Sequence, residues 1–156
     1  LRIESIVGAK ASTVAARMRN AAQLGARFAV VDYVQLVRPS MFTKDDPVTA
    51  VASEIQYAAM EAGLALVLIS QLRRLAPGAQ EQRPSMSDLR GSGMLEARAT
   101  GVLLLWRFRG VRDYSACRII RAKWKHGPPA EIAVNWLPER RRFWELPNEG
   151  RNYDSF

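Results

Sequence analysis

The chain has 156 residues, 48% of them hydrophobic, and its 23 Lys and Arg against 15 Asp and Glu give a formal charge of +8. That length supports one domain with a core of its own, and the composition is that of a globular rather than a disordered chain. No run reaches the roughly 18 apolar residues of a membrane span, no secretory signal opens the chain, and the single Cys117 and His126 leave no disulfide framework or zinc cluster to build.

The lone cysteine fits a reducing interior and a cytoplasmic protein. The basic excess favours polyanions, nucleic acid first and an anionic membrane surface second. It is spread along the chain instead of forming one tail, so it raises the expectation of nucleic acid without locating a contact.

Leu1 to Ile6 reads as a short strand entering a loop at Gly8-Ala9-Lys10. Ser12 is the expected N-cap of a helix with Val14, Ala15, Met18 and Ala22 on one face, stopped by Gly25. Next comes Phe28-Ala29-Val30-Val31-Asp32-Tyr33-Val34-Gln35-Leu36-Val37, an apolar run that ends in an acid and then resumes. Such a run is the pattern of a parallel strand covered by helices on both faces, and its C-terminal end is where open α/β sheets hold their ligands.

Arg38 to Asp46 reads as a loop. Asp46-Pro47 is a helix start, a capping acid followed by proline at the first helical position. Val48, Val51, Ala52, Ile55, Ala59 and Ala62 form one apolar face up to Gly63, and Leu64 to Ser70 is a second continuous strand, completing a βαβ crossover. Gln71 to Arg90 is a long polar connection with Pro77, Gly78 and Pro84, a size that in a compact domain is usually functional or disordered. A short helix at Met94 to Ala99 leads to a third strand, Gly101 to Arg107. Cys117 to Lys123, Glu131 to Trp136 and Arg142 to Glu145 are closely spaced strands, and the polar tail from Pro147 is expected to fray. The four tryptophans, Trp106, Trp124, Trp136 and Trp144, read as core or hairpin packing, and His126 as a turn residue.

Polar groups therefore recur at strand ends: Asp32, then Ser70-Gln71, then Lys123 and Lys125. Carboxyl ends of parallel strands share one sheet edge, so Asp32 and Gln71 are expected side by side. A nucleotide site needs an acid for magnesium, an amide that senses the γ-phosphate and a cation for charge developing in phosphoryl transfer. These residue types stand in those places.

At this point the chain resembles a family. Val31-Asp32-Tyr33-Val34-Gln35-Leu36, Ile69-Ser70-Gln71-Leu72, Ser87-Asp88-Leu89-Arg90-Gly91-Ser92-Gly93, Lys123-Trp124-Lys125-His126-Gly127-Pro128 and Pro138-Glu139-Arg140 are similar, in order, to segments of DnaB-type replicative helicases, over about residues 12 to 145. The resemblance implies an α/β, RecA-like core with a mostly parallel sheet and antiparallel C-terminal strands. The whole of residues 1–156 would be the C-terminal part of that motor domain, with about 147–156 as a flexible tail. It implies ATP and Mg2+ as cofactors and a ring of six copies around single-stranded DNA. A primase or a helicase loader is left open as a further partner, and no membrane is involved.

Residue by residue, Asp32 resembles the Walker B acid that positions magnesium, and Gln71 the glutamine that contacts the γ-phosphate. Arg90, Gly91 and Gly93 match the loop that holds DNA phosphates, where bare backbone lets amides approach an anion. Arg73 and Arg74 are placed near the same DNA, or merely in solvent. Lys123 and Lys125 fall where the family has a lysine and an arginine finger reaching the neighbouring subunit's nucleotide; as strand-edge charges they would instead discourage aggregation.

The chain also departs from the family. It contains no GxxxxGK[ST] and lacks the catalytic glutamate that follows that loop. The expectation is a motor domain cut after its P-loop and inactive on its own. Lys125 replaces the finger arginine, keeping charge without the planar fork, and Arg98 and Thr100 stand where the family often has acids. Two other readings remain: a non-catalytic RecA-like module that binds DNA or a helicase, and a RecA-like recombinase or signalling ATPase. The Ser87–Gly93 loop argues against the latter.

Overall fold

The first helix, α1 (Ala11–Gln23), forms where Val14, Ala15 and Met18 recur at helical spacing, and those residues are buried. Its start differs from the sequence expectation. Lys10, not Ser12, is the N-cap residue and has no side-chain cap bond. The first-turn amides are satisfied from a distance: Ala11 N donates to the Arg38 carbonyl at 2.8 Å and Ser12 N to Ser40 Oγ at 2.7 Å. The Ser40 hydroxyl in turn donates to Glu54 at 2.7 Å. Ser40→Ala will remove this remote cap and cost about 1 kcal/mol of stability. Urea unfolding reads it as a lower midpoint with unchanged slope.

The computed structural model describes residues 1–44, 46–73, 82–89, 92–107 and 116–145. They belong to two units, one of Leu1–Arg73 with Ser87–Arg98, the other drawn from Arg74–Met86 and Ala99–Phe156.

In the first unit, Leu1 to Ile6 carries no strand. Leu1 and Ile3 are exposed, and the segment is held instead by Glu4, which pairs with both Arg2 and Arg17. Helix α1 ends at Gly25 as expected. Gly25 takes a left-handed φ of 90° while its amide donates to Ala22 and that of Ala26 to Ala21, the double closure that glycine permits.

Strand β1 (Phe28–Val31) is shorter than the apolar run. After Asp32 the chain turns into a 3-10 segment (Val34–Leu36), which drives both Val34 and Val37 into the core. Helix α2 (Pro47–Glu61) begins as its sequence dictates, with Asp46 accepting from Thr49 N at 2.9 Å, and closes over Gly63 as α1 does over Gly25. Strand β2 (Ala65–Leu68) pairs with β1 in parallel, Val31 opposite Leu68. Ala29, Val31, Leu66 and Leu68 face α1 and α2 around Ile55, which is fully buried.

The opposite face of this pair departs from two-sided burial: Phe28 is 56% exposed and Val30 53%. Alternation in the strands thus carries apolar residues to both faces while helices of this unit cover one. Helix α3 (Ser92–Arg98) follows the polar connection, and Leu95 packs on the same core.

The second unit is a four-stranded antiparallel sheet, β3 (Gly101–Arg107), β4 (Ala116–Trp124), β5 (Ala130–Leu137) and β6 (Arg142–Glu145), in that spatial order. The third strand of the sequence reading is therefore β3, paired with β4. It too is buried on one face only, with Val102 and Leu104 inside while Leu103 and Leu105 are each 62% exposed. Cys117 is buried beside Val134, and burial pushes its thiol above the ordinary range, with Arg107 partly opposing.

Candidate functional site

The parallel register of β1 and β2 places their C-terminal ends together. Ile69 N donates to the Val31 carbonyl at 3.0 Å and Val34 N to the Ile69 carbonyl at 2.9 Å, so Asp32 lies beside Ile69, one step before Ser70-Gln71. The pair that the sequence puts at one sheet edge thus emerges at one edge. Asp32 is exposed, and its carboxylate takes no hydrogen bond or ion pair among the described residues. The Asp32–Tyr33 peptide is cis.

Gln71 is held by a residue that sequence reasoning did not single out. Gln35, in the 3-10 turn, donates through Nε2 to Ser70 Oγ at 2.9 Å and to the Gln71 carbonyl at 3.2 Å, and its Oε1 accepts from Gln71 N at 3.3 Å. One side-chain amide therefore clamps both backbone groups of Gln71, as a neighbouring strand would, and the Gln71 side chain stays exposed. The available signal was a polar residue between Val34 and Val37, three positions after the acid. An exposed carboxylate with unshared lone pairs, beside a fixed glutamine at a sheet edge, fits a hard divalent cation carrying phosphate: the cation takes oxygen ligands, and the amide donates to a phosphate oxygen. Asp32 would hold Mg2+, directly or through water. Among the described residues no group of three or more His, Cys, Asp or Glu side chains is gathered to hold a metal ion.

The polar connection after Gln71 closes on itself. Leu72 bridges Leu89, Arg73 N donates to the Asp88 carbonyl at 2.8 Å, and the Arg73 guanidinium donates to the Ser87 carbonyl at 3.0 Å, with Asp88 at 3.8 Å. Arg73 thus pins the start of the Ser-Asp-Leu-Arg-Gly-Ser-Gly loop while keeping 60% of its side chain exposed. Gly93 lies in α3. Arg74, Arg90 and Gly91 lie outside the described residues, as does the tail from 147.

In the second unit Lys123 pairs with Val102, one step before the β3–β4 ladder ends at Trp124 opposite Gly101, and Lys125 begins the following turn, its amide donating to the Thr100 carbonyl at 2.9 Å. Between them the Trp124 indole lies where a Cβ on Gly101 would be, and also touches the Gly127 position. His126 meets that indole edge-on at 6.4 Å, in the turn that the sequence reading gave it. The bare Gly101 leaves the room that the indole occupies, at the strand end where Lys123 and Lys125 flank Trp124.

Comparison with known proteins identifies the family. The family model described as the DnaB-like helicase C terminal domain matches residues 1–145. The chain is 30% identical over 152 residues to the replicative DNA helicase DnaC of Bacillus subtilis (strain 168), covering 92% of this chain and 34% of the relative. It is 28% identical to the replicative DNA helicase DnaB of Geobacillus stearothermophilus, with the same coverage. Among solved structures, a DnaB-like replicative helicase, described with its interactions with primase, superposes with a TM-score of 0.75 at 25% identity, over 90% of this chain and 36% of that one. A second solved structure, of an ATPase domain, superposes with 0.78 at 25% identity, over 90% of this chain and 52% of that one. The chain spans about a third of the length of the curated relatives it matches, and its fold is that of RecA-like helicase ATPase domains. From its first residue through the β5–β6 hairpin, the chain belongs to the DnaB-like helicase C-terminal domain family.

Proposed function

We propose that this chain is the part of a DnaB-like replicative helicase motor that holds magnesium, senses the γ-phosphate and grips DNA. The observation that carries the reading is the exposed Asp32 carboxylate at the end of β1, without a hydrogen bond or ion pair among the described residues, beside a Gln71 whose backbone is clamped by Gln35. Asp32 would hold a Mg2+ brought in with ATP, which would supply positive charge against the phosphates. Asp32 fixes the water or metal it meets, and Gln71 offers an amide N–H to a terminal phosphate oxygen. Strand β2 then runs into the Leu72–Leu89 bridge, so a change in how Gln71 is held passes directly to the loop containing Arg90, Gly91 and Gly93.

In this reading Arg90, Gly91 and Gly93, together with Arg73 and Arg74, contact the phosphates of single-stranded DNA. Affinity is then salt-sensitive and nearly independent of sequence. Lys123 and Lys125 serve the nucleotide of the neighbouring copy in a ring of six, supplying positive charge as phosphate charge develops. The chain contains no GxxxxGK[ST] and covers about a third of its curated relatives' length, so in this reading it serves as the C-terminal part of a motor domain whose phosphate cradle is supplied by another part. The protein works in the cytoplasm, where primase or a loader are its further partners.

The experiment is single-stranded-DNA-stimulated ATP hydrolysis by this chain and by a chain carrying a P-loop half ahead of Leu1. Turnover in the longer chain alone supports the reading. DNA binding without turnover in either assigns a non-catalytic DNA-binding module instead.

A further inference from the structure

The β5–β6 hairpin carries a charge and aromatic pattern that the nucleotide site does not use. Its turn is Pro138-Glu139-Arg140-Arg141, followed by Arg142, so three consecutive arginines meet one acid. The 3-10 segment Pro138–Arg140 closes through Arg141, whose φ is 48° and whose amide donates to the Pro138 carbonyl at 3.2 Å. All three arginines are exposed.

Register sorts the flanking residues. Leu137 pairs with Arg142, Trp136 with Phe143 and Asn135 with Trp144. On one face Trp136 and Phe143 pack with ring centroids 4.8 Å apart and hold the hairpin. On the other, Arg142 places its guanidinium carbon 5.7 Å from the centre of the Trp144 ring. Trp144 is 53% exposed, so the ring meant by the sequence reading for packing shows much of its surface to solvent. Farther along this face Arg83 and Arg118 both reach the Glu131 carboxylate, at 2.9 and 3.4 Å.

We propose that this face of the hairpin binds single-stranded nucleic acid, at a site separate from the Arg90–Gly93 loop. Arg140 and Arg141 at the turn take phosphates, Trp144 stacks a base, and Arg142 spans the two. Residues on one face of a strand repeat about every 7 Å, a spacing that lets one nucleotide lay its base on Trp144 and turn its phosphate to the tip. An aromatic platform beside a cationic rim is the arrangement that sequence-tolerant single-strand binders use, because every base has a π-face. Duplex DNA would bring the charge but hide the bases, and an acidic protein segment would use the arginines without needing the ring.

The test measures oligo-dT binding to the intact chain by anisotropy across a salt series, with polyglutamate as the competing anion. Thermal melts establish that each variant is folded. The variants are Trp144→Ala, Trp144→Phe and the triple Arg140→Ser, Arg141→Asn, Arg142→Ser; asparagine tolerates the left-handed position. The triple variant will flatten the slope of log K against log salt by about two, at roughly 0.7 per phosphate on a single strand. Trp144→Ala will weaken binding about fivefold or more with the slope unchanged, and Trp144→Phe will recover most of that loss. Wild-type affinity and slope in every variant, while Arg90→Ala weakens binding, overturn the hairpin site and leave the helicase reading standing. Equal displacement by polyglutamate with no effect of Trp144→Ala also overturns it, in favour of an acidic-protein surface.

Discussion

Asp32→Asn will lower the DNA-stimulated ATP turnover of the complete motor at least about a hundredfold, the low end of what removing one preorganised electrostatic group does to kcat. The substitution keeps size and backbone and removes only the charge. Because Asp32 is exposed and takes no partner among the described residues, the fold loses nothing by the change. The variant will therefore melt within about 0.5 kcal/mol of the parent, as surface substitutions do, while its Mg2+ requirement shifts to much higher concentration. Binding of single-stranded DNA without nucleotide will be unchanged, since the Ser87–Leu89 segment that leads into the proposed DNA-binding loop is held by Leu72 and Arg73 and not by Asp32. An Asp32→Asn motor with near-parental turnover at low Mg2+ would make the acid structural and sink the nucleotide assignment.

The parts of the chain readable from its residues are those whose cause is local. Asp46-Pro47 and Gly63 bound α2 through contacts within four residues, and the structure follows them. The start of α1 is not local: its cap is Ser40, 28 residues away, so Ser12 looked like the cap while its amide is served by another segment. The run from Phe28 to Val37 reads as one strand because every residue but Asp32, Tyr33 and Gln35 is apolar. Only the three-residue spacing of Val34 and Val37 shows that the chain leaves the sheet to fill the core. Apolar residues on both faces of β1 and β2 say what those faces would bury, not what covers them. At the site, the positions of Asp32 and Gln71 followed from strand ends alone. The clamp between them needed a side chain to reach across 36 residues to a backbone, which no sequence spacing encodes.

That clamp yields the second large effect. Gln35→Ala will reduce kcat for ATP in the complete motor about tenfold while leaving KM for ATP near its parental value. Gln35 bonds Ser70 and the Gln71 backbone, and in the proposed site it holds Gln71 in position for the phosphate. Displacement of a catalytic group by about 1 Å can cost up to a hundredfold, and a loosened strand end sits below that limit. Stability will change by only about 1 kcal/mol, because Gln71 is exposed and water replaces the lost partners. Gln35→Glu separates positioning from bulk: it keeps the acceptor for Gln71 N but loses the donor to Ser70 and the Gln71 carbonyl, so its kcat will fall between those of Gln35→Ala and the parent. Gln71→Ala will lower kcat at least as far as Gln35→Ala, and the double variant will be no worse than Gln71→Ala alone, since Gln35 acts only through Gln71. Additive losses in that cycle would show that Gln35 meets the nucleotide itself.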